Sequence, residues 1–464
     1  MGEIQIRRRF TPRAVRVARL LTILLAFALW ATSALRQNPV PEWLEVGLRP
    51  ALFNGKVPFS QAFATYLETY FPHDPRVVDP HPPYPIVAAP HAKNCILLIG
   101  DGMGLSHVCA AGMAAYGLGG RLAIQRMPIV GLVETYSSSS LFTDSGAAAT
   151  ALATGRKTYN GAIAMDPFGR PLESFFATAK RRGMRTGLVV TSSLTHGTPA
   201  PFVANVPWRT MEPEVAAQLL ERDTNVLFGG GAGFFIPRST FPKMSFRYDN
   251  RDLLVEALRR GYKLTMNPAE LPTISGDHVM GLFGLGPLPP AAIAKPSLAE
   301  MTSKSLQLLS RGGEGFCLMV EGSQIDWQSH RLDFEATIWE TLEFERAVER
   351  CLEFAAQDGQ TLVVVTADHE TGGLALAYAN NVGLTGNWAY SYHTATMVPL
   401  WAYGPGCLQF AGVQDNIDVP VKIAGVLGLD DFPALRERIA SVRSKNLAPS
   451  FSSARPAQER GEGP

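Results

Sequence analysis

This sequence is poor in cysteine and in charge. It has only 5 cysteines among 464 residues, and no two of them stand in a C-x-x-C spacing, which speaks against a zinc site built from cysteine pairs. Charged residues make up 18% of the chain and the net charge is +1, so the composition carries no nucleic-acid-binding signature. Hydrophobic residues make up 46%, which is typical of a globular protein with a large core.

The chain also lacks an apolar run of about twenty residues, the length that a membrane-spanning helix usually needs. Its most apolar segment, LLTILLAFALWATSAL at 20–35, is shorter and follows a start that is rich in arginine. A basic start, an apolar middle and a small-residue end are typical of an export signal. We therefore interpret residues 1–35 as a signal peptide or an N-terminal membrane anchor. We expect an exported protein, periplasmic or extracellular, either free or anchored to the inner membrane.

Beyond this leader, composition divides the chain into three parts. Residues 36–92 are rich in proline and have no clear periodicity, and residues 444–464 are predicted to be a disordered tail. Residues 93–443 are predicted to be one catalytic domain, in which helical patterns alternate with short apolar runs: CILLIG, TGLVVTSS, NVLFGGG, GFCLMVEG, TLVVVTADH and VPLWAYGPG. This alternation predicts an α/β protein, a three-layer sandwich with a largely parallel central sheet and helices on both faces.

Several of these apolar runs are followed by side chains suited to metal binding. In chain order they are Asp101, His196, Thr198, Glu321, Asp326, His330, Asp368, His369 and His393. Each has an ordinary alternative, since an Asp after a strand often caps a helix and a single His is usually a hydrogen-bonded structural residue. Ligands of open α/β sheets bind beyond the carboxyl ends of the strands, however, and so many such residues in comparable positions favour a site there.

The types of these residues indicate more than one metal ion. Asp326 and His330 are four apart, so on a helix they would share a face, and mixed carboxylate and imidazole ligands suit Zn²⁺. Carboxylates with a hydroxyl, such as Asp101, Glu321 and Thr198, suit Mg²⁺ better. Two ions about 4 Å apart are a known device for stabilising the attacking and leaving oxygens of phosphoryl transfer.

The segment LFTDSGAAATALATG at 141–155 has two interpretations. Asp144 or Ser145 would cap a helix of small residues, which is the ordinary one. Alternatively, Ser145 is a nucleophile held at the positive end of that helix, where an anion would bind.

Together these motifs resemble the alkaline phosphatases. IGDGMG, TDSGAAATALATG, GGGAGFF, VEGSQIDWQSH, TADHETGG and a late His before VPLWAYGPG follow the family's order over about residues 94–427. The resemblance implies an alkaline-phosphatase-like fold, hydrolysis of phosphate monoesters through a phosphoserine, and a homodimer. The stretch between DHETGG and His393 is only about twenty residues, so a reduced crown domain is implied.

The resemblance also implies a role for each matching residue. Ser145 would be the nucleophile, and Arg209, thirteen residues after His196, would clamp two phosphate oxygens. A first zinc ion would be held by Asp326, His330 and His393. A second zinc ion would be held by Asp101, Asp368 and His369. One magnesium ion would be held by Asp101, Thr198 and Glu321.

Two positions depart from the family's best-known patterns. His196 stands where the enteric bacterial enzymes have Asp and where animal enzymes have His. Trp327 stands where the enteric bacterial enzymes have Lys and where animal enzymes have His. Both positions are expected around the phosphate and the third metal, behind the ligands themselves, so the metal preference of that third site is open.

Two other functions remain open at this stage. A phosphodiesterase or sulfatase of the same superfamily is disfavoured, because diesterases lack the third metal site and the phosphate-clamping Arg, and Ser145 is followed by Gly-Ala-Ala rather than the sulfatase pattern. A non-catalytic exported protein that binds metal or phosphate is the other alternative.

Overall fold

The computed structural model describes residues 60–71, 82–117, 120–379 and 383–437. The predicted signal or anchor at 1–35 and the predicted tail at 444–464 lie outside the described residues. Within these ranges, no helix combines the length and the apolar character needed to cross a bilayer.

The described residues form helices and strands in alternation. The α-helices α1 to α10 are Gln61–Tyr70, Leu105–Tyr116, Ser145–Thr154, Phe175–Arg181, Glu212–Glu221, Leu253–Arg259, Leu298–Leu309, Gln324–His330, Phe334–Asp358 and Asp418–Val426. The strands β1 to β14 are Asn94–Gly100, Ile129–Glu134, Arg185–Ser193, Val226–Gly230, Lys263–Thr265, Val279–Leu282, Phe316–Gly322, Thr361–Thr366, Glu370–Thr371, Leu374–Ala379, Gly383–Trp388, His393–Thr394, Val398–Tyr403 and Gly412–Asp415.

One ten-stranded sheet forms the centre of the fold, in the order β14–β2–β13–β8–β1–β7–β3–β4–β6–β5. The pairings of β13 with β2 and β8 are antiparallel, and the other pairings in this sheet are parallel. The prediction of a largely parallel sheet is therefore confirmed. Strands β1, β7 and β8 are buried along their whole length, because a parallel sheet is covered on both faces and its strands become continuous apolar runs. The six apolar runs of the sequence correspond to β1, β3, β4, β7, β8 and β13.

The helical pattern FEATIWETLEFERAVERCLEFAAQ becomes the long helix α9, as predicted. Asp333 caps its start by accepting a hydrogen bond from the Ala336 N–H, and Gly359 ends it with a left-handed φ of 68°. Its apolar residues at three- and four-residue intervals are buried, among them Ile338 and Leu342, and the helix packs on β8, β7 and β1. The helical layer against the central strands therefore follows from this periodicity.

Helix α1 lies in the segment where the sequence shows no clear periodicity. Phe63 and Tyr66 are buried on one face of this helix, and both rings pack at 5.1 Å from the ring of Trp339 on α9. Ser60, which caps α1, also donates two hydrogen bonds to the Glu335 carboxylate. A helix of ten residues is marginal alone, so these tertiary contacts decide its formation.

Two smaller elements lie near the end of the catalytic segment. Between DHETGG and His393 the structure places one antiparallel hairpin, β10 with β11. The short strand β12 pairs with β9 and brings His393 opposite Thr371. All five cysteines lie in the described residues and are unpaired, and four of them are buried, where a free cysteine packs as a small apolar residue.

Candidate active site

The predicted site residues gather at the carboxyl ends of the central strands. The three middle strands end in register, with Gly100 of β1 paired to Gly322 of β7 and Ile99 paired to Thr366 of β8. The residues that follow these strands therefore lie at the same edge of the sheet. They are Asp101 after β1, and Asp368 and His369 after β8. Glu321 is the penultimate residue of β7, and α8 begins directly beyond this strand.

A first trio consists of Asp326, His330 and His393. The first two lie one turn apart on α8, with His330 Nε2 at 3.3 Å from Asp326 Oδ1. His393 Nε2 lies 3.1 Å from His330 Nε2 and 3.7 Å from Asp326 Oδ1. The pairing of β12 with β9 brings His393 to this place from a distant part of the chain.

A second trio consists of Asp101, Asp368 and His369, all fully buried. His369 Nε2 lies 3.4 Å from Asp101 Oδ1 and 3.3 Å from Asp368 Oδ2. The Gly102 and His369 backbone N–H groups both donate to Asp368 Oδ1, which fixes the carboxylate and leaves its other oxygen towards the trio.

A third trio shares Asp101 with the second and adds His196 and Glu321. In each of the three trios, every residue offers one ligand atom, and these atoms lie within 4.8 Å of one another. The Thr198 hydroxyl donates to Asp101 Oδ2 at 3.4 Å. The sequence places His196 behind the third metal site, whereas the structure brings its imidazole among the atoms that would hold an ion there.

Hydrogen bonds on the far side of three histidines determine which ring nitrogen faces the site. His330 Nδ1 lies 2.9 Å from the Ser391 carbonyl and His393 Nδ1 lies 2.7 Å from the Thr143 carbonyl, so in each ring Nδ1 must carry the proton and donate it. Nε2 then presents its lone pair to the first trio, as a metal ligand requires.

Thr371 determines which ring nitrogen of His369 faces the site, and it also connects the first two trios. Its Oγ1 lies 2.5 Å from Asp326 Oδ1 and 3.2 Å from His369 Nδ1. The hydroxyl has one proton, which it donates to the carboxylate, and it therefore accepts the Nδ1 proton of His369. Sequence reasoning did not select Thr371, although it lies in the TADHETGG motif; only the contact reveals its role.

The site concentrates buried negative charge. Burial, followed by repulsion from neighbouring carboxylates, raises the pKa of Asp101 well above its ordinary value and that of Asp368 to about 6. Burial also raises the pKa of Glu321 to about 7. Burial alone would raise the pKa of Asp326 as well, but the adjacent imidazoles, His330 first among them, bring it below its ordinary value.

Within the second and third trios, three buried carboxylate oxygens have no hydrogen-bond partner among the described residues: Asp101 Oδ1, Glu321 Oε1 and Asp368 Oδ2. Buried charges are stable only when they are paired or bind a cation. Nitrogen and oxygen donors together suit Zn²⁺ in the first two trios, and the oxygen-rich third trio also suits Mg²⁺. The residues present therefore fit a set of bound cations.

In the structure, the two interpretations of the DSG segment apply to two different residues, Asp144 and Ser145. Asp144 is the helix cap, since its carboxylate accepts the Ala147 N–H at 3.0 Å. Ser145 is the first residue of α3 and is almost fully buried. Its Oγ lies 3.4 Å from His369 Nε2, next to the second trio. The hydroxyl thus lies at the positive end of a helix and beside candidate metal ligands.

Arg209 lies beside Asp144 and His196. Its Nη1 donates to Asp144 Oδ2 at 3.0 Å, and its Nη2 lies 3.2 Å from His196 Nε2. A Cβ on Gly197 would lie 2.8 Å from Arg209 Cζ, so a residue without a side chain is needed there for the guanidinium to reach this position. Trp327 packs edge-to-face on the His196 ring at 5.7 Å. The role of Asp144 as the partner of Arg209 was not predicted from the sequence.

Known proteins that are similar to this chain belong to one family. The family model described as alkaline phosphatase matches residues 92–386. The alkaline phosphatase of Escherichia coli (strain K12) is 33% identical over 73% of this chain and 86% of its own length. The streptomycin-6-phosphate phosphatase of Streptomyces griseus is 32% identical over 73% of this chain and 91% of its own.

Solved structures agree with this result. Alkaline phosphatase from the Antarctic bacterium TAB5 is 33% identical, with a TM-score of 0.67 over 73% of this chain and 99% of the other. Alkaline phosphatase from Thermus thermophilus is 27% identical, with a TM-score of 0.68 over 76% of this chain and 96% of the other.

Proposed function

From the premise that this chain belongs to the alkaline phosphatase family and is a phosphoric monoester hydrolase, we propose that it works through a phosphoserine on Ser145. The observation that carries the proposal is the position of the Ser145 hydroxyl, buried at the start of α3 and 3.4 Å from His369 Nε2. An oxygen at that point can attack a phosphorus whose charged oxygens face the helix N-terminus and Arg209.

The proposed metal set is two zinc ions and one magnesium ion, in a family that is metal-dependent. The first trio would hold one zinc, the second trio the other, and Asp101, Glu321, Thr198 and His196 would surround the magnesium. Bound cations would lower the pKa of the serine hydroxyl and of water, and would stabilise negative charge on the leaving oxygen. Support for this set comes from the orphaned carboxylate oxygens and from the Nε2 lone pairs of three histidines.

The chain's own residues would then divide the work. Arg209 binds two phosphate oxygens, and Asp144 holds the guanidinium in position for this. Ser145 Oγ, having given up its proton, forms a bond to phosphorus as the bond to the ester oxygen breaks, and the ester oxygen takes up a proton from water and leaves as the alcohol on the side of the first trio. Water then attacks the phosphoserine from that side, the bond to Oγ breaks, and inorganic phosphate leaves. The fully buried second trio holds Ser145 in a place that bulk water does not reach.

The experiment that tests this proposal compares wild type with Ser145→Ala on p-nitrophenyl phosphate, with zinc and magnesium supplied. We expect a loss of several orders of magnitude in kcat. Mass spectrometry of an acid-quenched reaction should find one phosphoryl group on the Ser145 peptide of wild type. An active Ser145→Ala variant, or a phosphoryl group on another residue, would contradict the mechanism.

The diesterase alternative is tested with the same protein. The third trio and Arg209 both favour a monoester, because a monoester dianion presents three unesterified oxygens and two negative charges to the cations and the guanidinium, whereas a diester presents two oxygens and one charge. We expect bis-p-nitrophenyl phosphate to be hydrolysed far more slowly than p-nitrophenyl phosphate. Metal binding without turnover of either ester would instead favour a non-catalytic binding protein.

We also propose export of this enzyme through its arginine-rich leader, and a homodimeric assembly as the family resemblance implies. Cleavage at the small-residue end of segment 20–35 distinguishes a signal peptide from a membrane anchor, and the N-terminal sequence of the secreted protein reads it directly. Light scattering of the purified enzyme tests the dimer.

A further inference from the structure

The first trio lies nearer to solvent than the second. The second trio is fully buried, whereas the His330 side chain is 27% exposed. On the proposed function, which this inference takes as its basis, the alcohol leaves on the side of the first trio and so passes the partly exposed His330. Whatever lies there contacts the part of the substrate that differs between one phosphate ester and another.

Two exposed tyrosines form a wall on this side of the site. The Tyr392 ring is stacked on the His393 ring at 4.9 Å and 26°, and it contacts the His330 ring edge-to-face at 5.1 Å. Tyr390 lies 6.3 Å from Tyr392 in an edge-to-face arrangement. The two residues are 57% and 58% exposed, so both side chains are accessible to a ligand.

This aromatic wall, Tyr390 with Tyr392, is held rigidly by its backbone. The Gly372 N–H donates to the Tyr392 carbonyl at 2.9 Å, and the Tyr390 N–H donates to the Gly372 carbonyl at 3.1 Å. Between the two tyrosines, the Ser391 carbonyl accepts the Nδ1 proton of His330. The wall is thus fixed to the trio itself, and a ligand that stacks on it has little ordering cost to overcome.

We propose that the aromatic wall makes this enzyme select phosphate monoesters whose leaving group carries a planar aromatic ring. The ring would stack on the exposed ring of Tyr392 while the ester oxygen lies at the first trio. Such a ring could belong to an aryl or arylmethyl alcohol or to the base of a nucleotide, because both present the same flat π surface. An alkyl or sugar phosphate would use the same catalytic groups but gain nothing from the wall.

The test compares esters of similar leaving-group chemistry that differ in the ring. Benzyl phosphate against butyl phosphate tests a ring close to the ester oxygen, and adenosine 5′-monophosphate against ribose 5-phosphate tests a distant one. For Tyr392→Ala we expect the benzyl-to-butyl ratio of kcat/KM to fall about 3- to 10-fold, or about 0.6–1.4 kcal/mol at 1.4 kcal/mol per tenfold change. A larger fall in the benzyl-to-butyl ratio would indicate an aryl or arylmethyl alcohol as the preferred leaving group. A larger fall in the ratio for adenosine 5′-monophosphate against ribose 5-phosphate would indicate a nucleotide.

Two variants serve as controls. Tyr392→Phe keeps the stacking surface and should keep the ratio. Tyr70→Ala removes an exposed tyrosine that contacts Arg346, twelve residues into α9 and so about 18 Å along that helix from its start near the site. It should leave both the rates and the ratio unchanged.

A binding measurement separates this inference from the proposed function. Benzylphosphonate and butylphosphonate are not hydrolysed, so calorimetry gives their affinities whether or not the enzyme turns over. We expect Tyr392→Ala to weaken only the benzyl compound, with the affinity for inorganic phosphate unchanged. Equal effects on both phosphonates, or none, would overturn the aromatic wall. Failure of wild type to hydrolyse any monoester would overturn the proposed function alone.

Discussion

Replacing Thr371 by valine removes one hydroxyl that serves two candidate metal sites. The side chain is fully buried, and valine has nearly the same shape, so the change deletes hydrogen bonds without opening a cavity. The hydroxyl donates to Asp326 at 2.5 Å and accepts from His369 Nδ1 at 3.2 Å. Without it, Asp326 loses a donor and the His369 ring loses the contact that keeps Nε2 unprotonated towards the second trio.

The magnitude follows from these two contacts. A hydrogen bond to a charged group contributes about 1.5–3 kcal/mol, and loss of a partner behind a metal ligand typically costs about 10- to 100-fold in affinity. Both candidate metal sites should weaken together, since both depend on the one hydroxyl. We therefore expect Thr371→Val to need about 10- to 100-fold more free zinc for half-maximal activity than wild type does.

The assay is a zinc titration against a competing chelator, with bound metal and hydrolysis of p-nitrophenyl phosphate followed together. Thr341→Val is the matched control, because it removes a buried hydroxyl that donates to the Thr337 carbonyl of its own helix at 2.7 Å. It should lose a similar amount of stability and keep its zinc affinity. If Thr371→Val bound zinc within about threefold of wild type, the assignment of the His369 tautomer would be refuted.

Two further changes test the phosphate clamp and a buried acid remote from it. Arg209→Lys keeps the charge but loses the two-pronged guanidinium, so inorganic phosphate should inhibit about 10- to 100-fold more weakly, and an unchanged inhibition constant would remove Arg209 from phosphate binding. Burial raises the pKa of Glu345 to about 8, although the Ala123 and Ile124 N–H groups donate to it. The folded protein therefore keeps this proton up to about pH 8, whereas the unfolded chain loses it near pH 4.5, so the free energy of unfolding should fall as pH rises across that window and then level off. Urea unfolding of Glu345→Gln should show a flatter pH dependence, and parallel curves would contradict the assignment.

The chemistry of the site could be predicted from local sequence because its residues follow recognisable strands. A buried parallel strand is a continuous apolar run, so the end of each run marks where a ligand side chain such as Asp101 or Asp368 would lie. The spacing of Asp326 and His330 likewise needs only the period of a helix. Helix α9 was predicted for the same reason, since its apolar stripe repeats every three or four residues.

Other parts were decided by contacts between residues far apart in the chain. Helix α1 forms because Phe63 and Tyr66 find Trp339, a partner that no local pattern predicts. That Ser145 rather than Asp144 lies beside the second trio appears only from the contact of Ser145 with His369, which is distant in the chain.

The sequence by itself determined the six central strands and helix α9 and which side chains stand at their ends, because strand and helix periods are properties of neighbouring residues. Only the tertiary structure decided that His196 joins the third trio and that Thr371 connects the first to the second. The physical reason is that ligand geometry, histidine tautomers and buried charge depend on atoms within about 4 Å of one another. Those atoms come from strands and loops whose order in the sheet differs from their order in the chain.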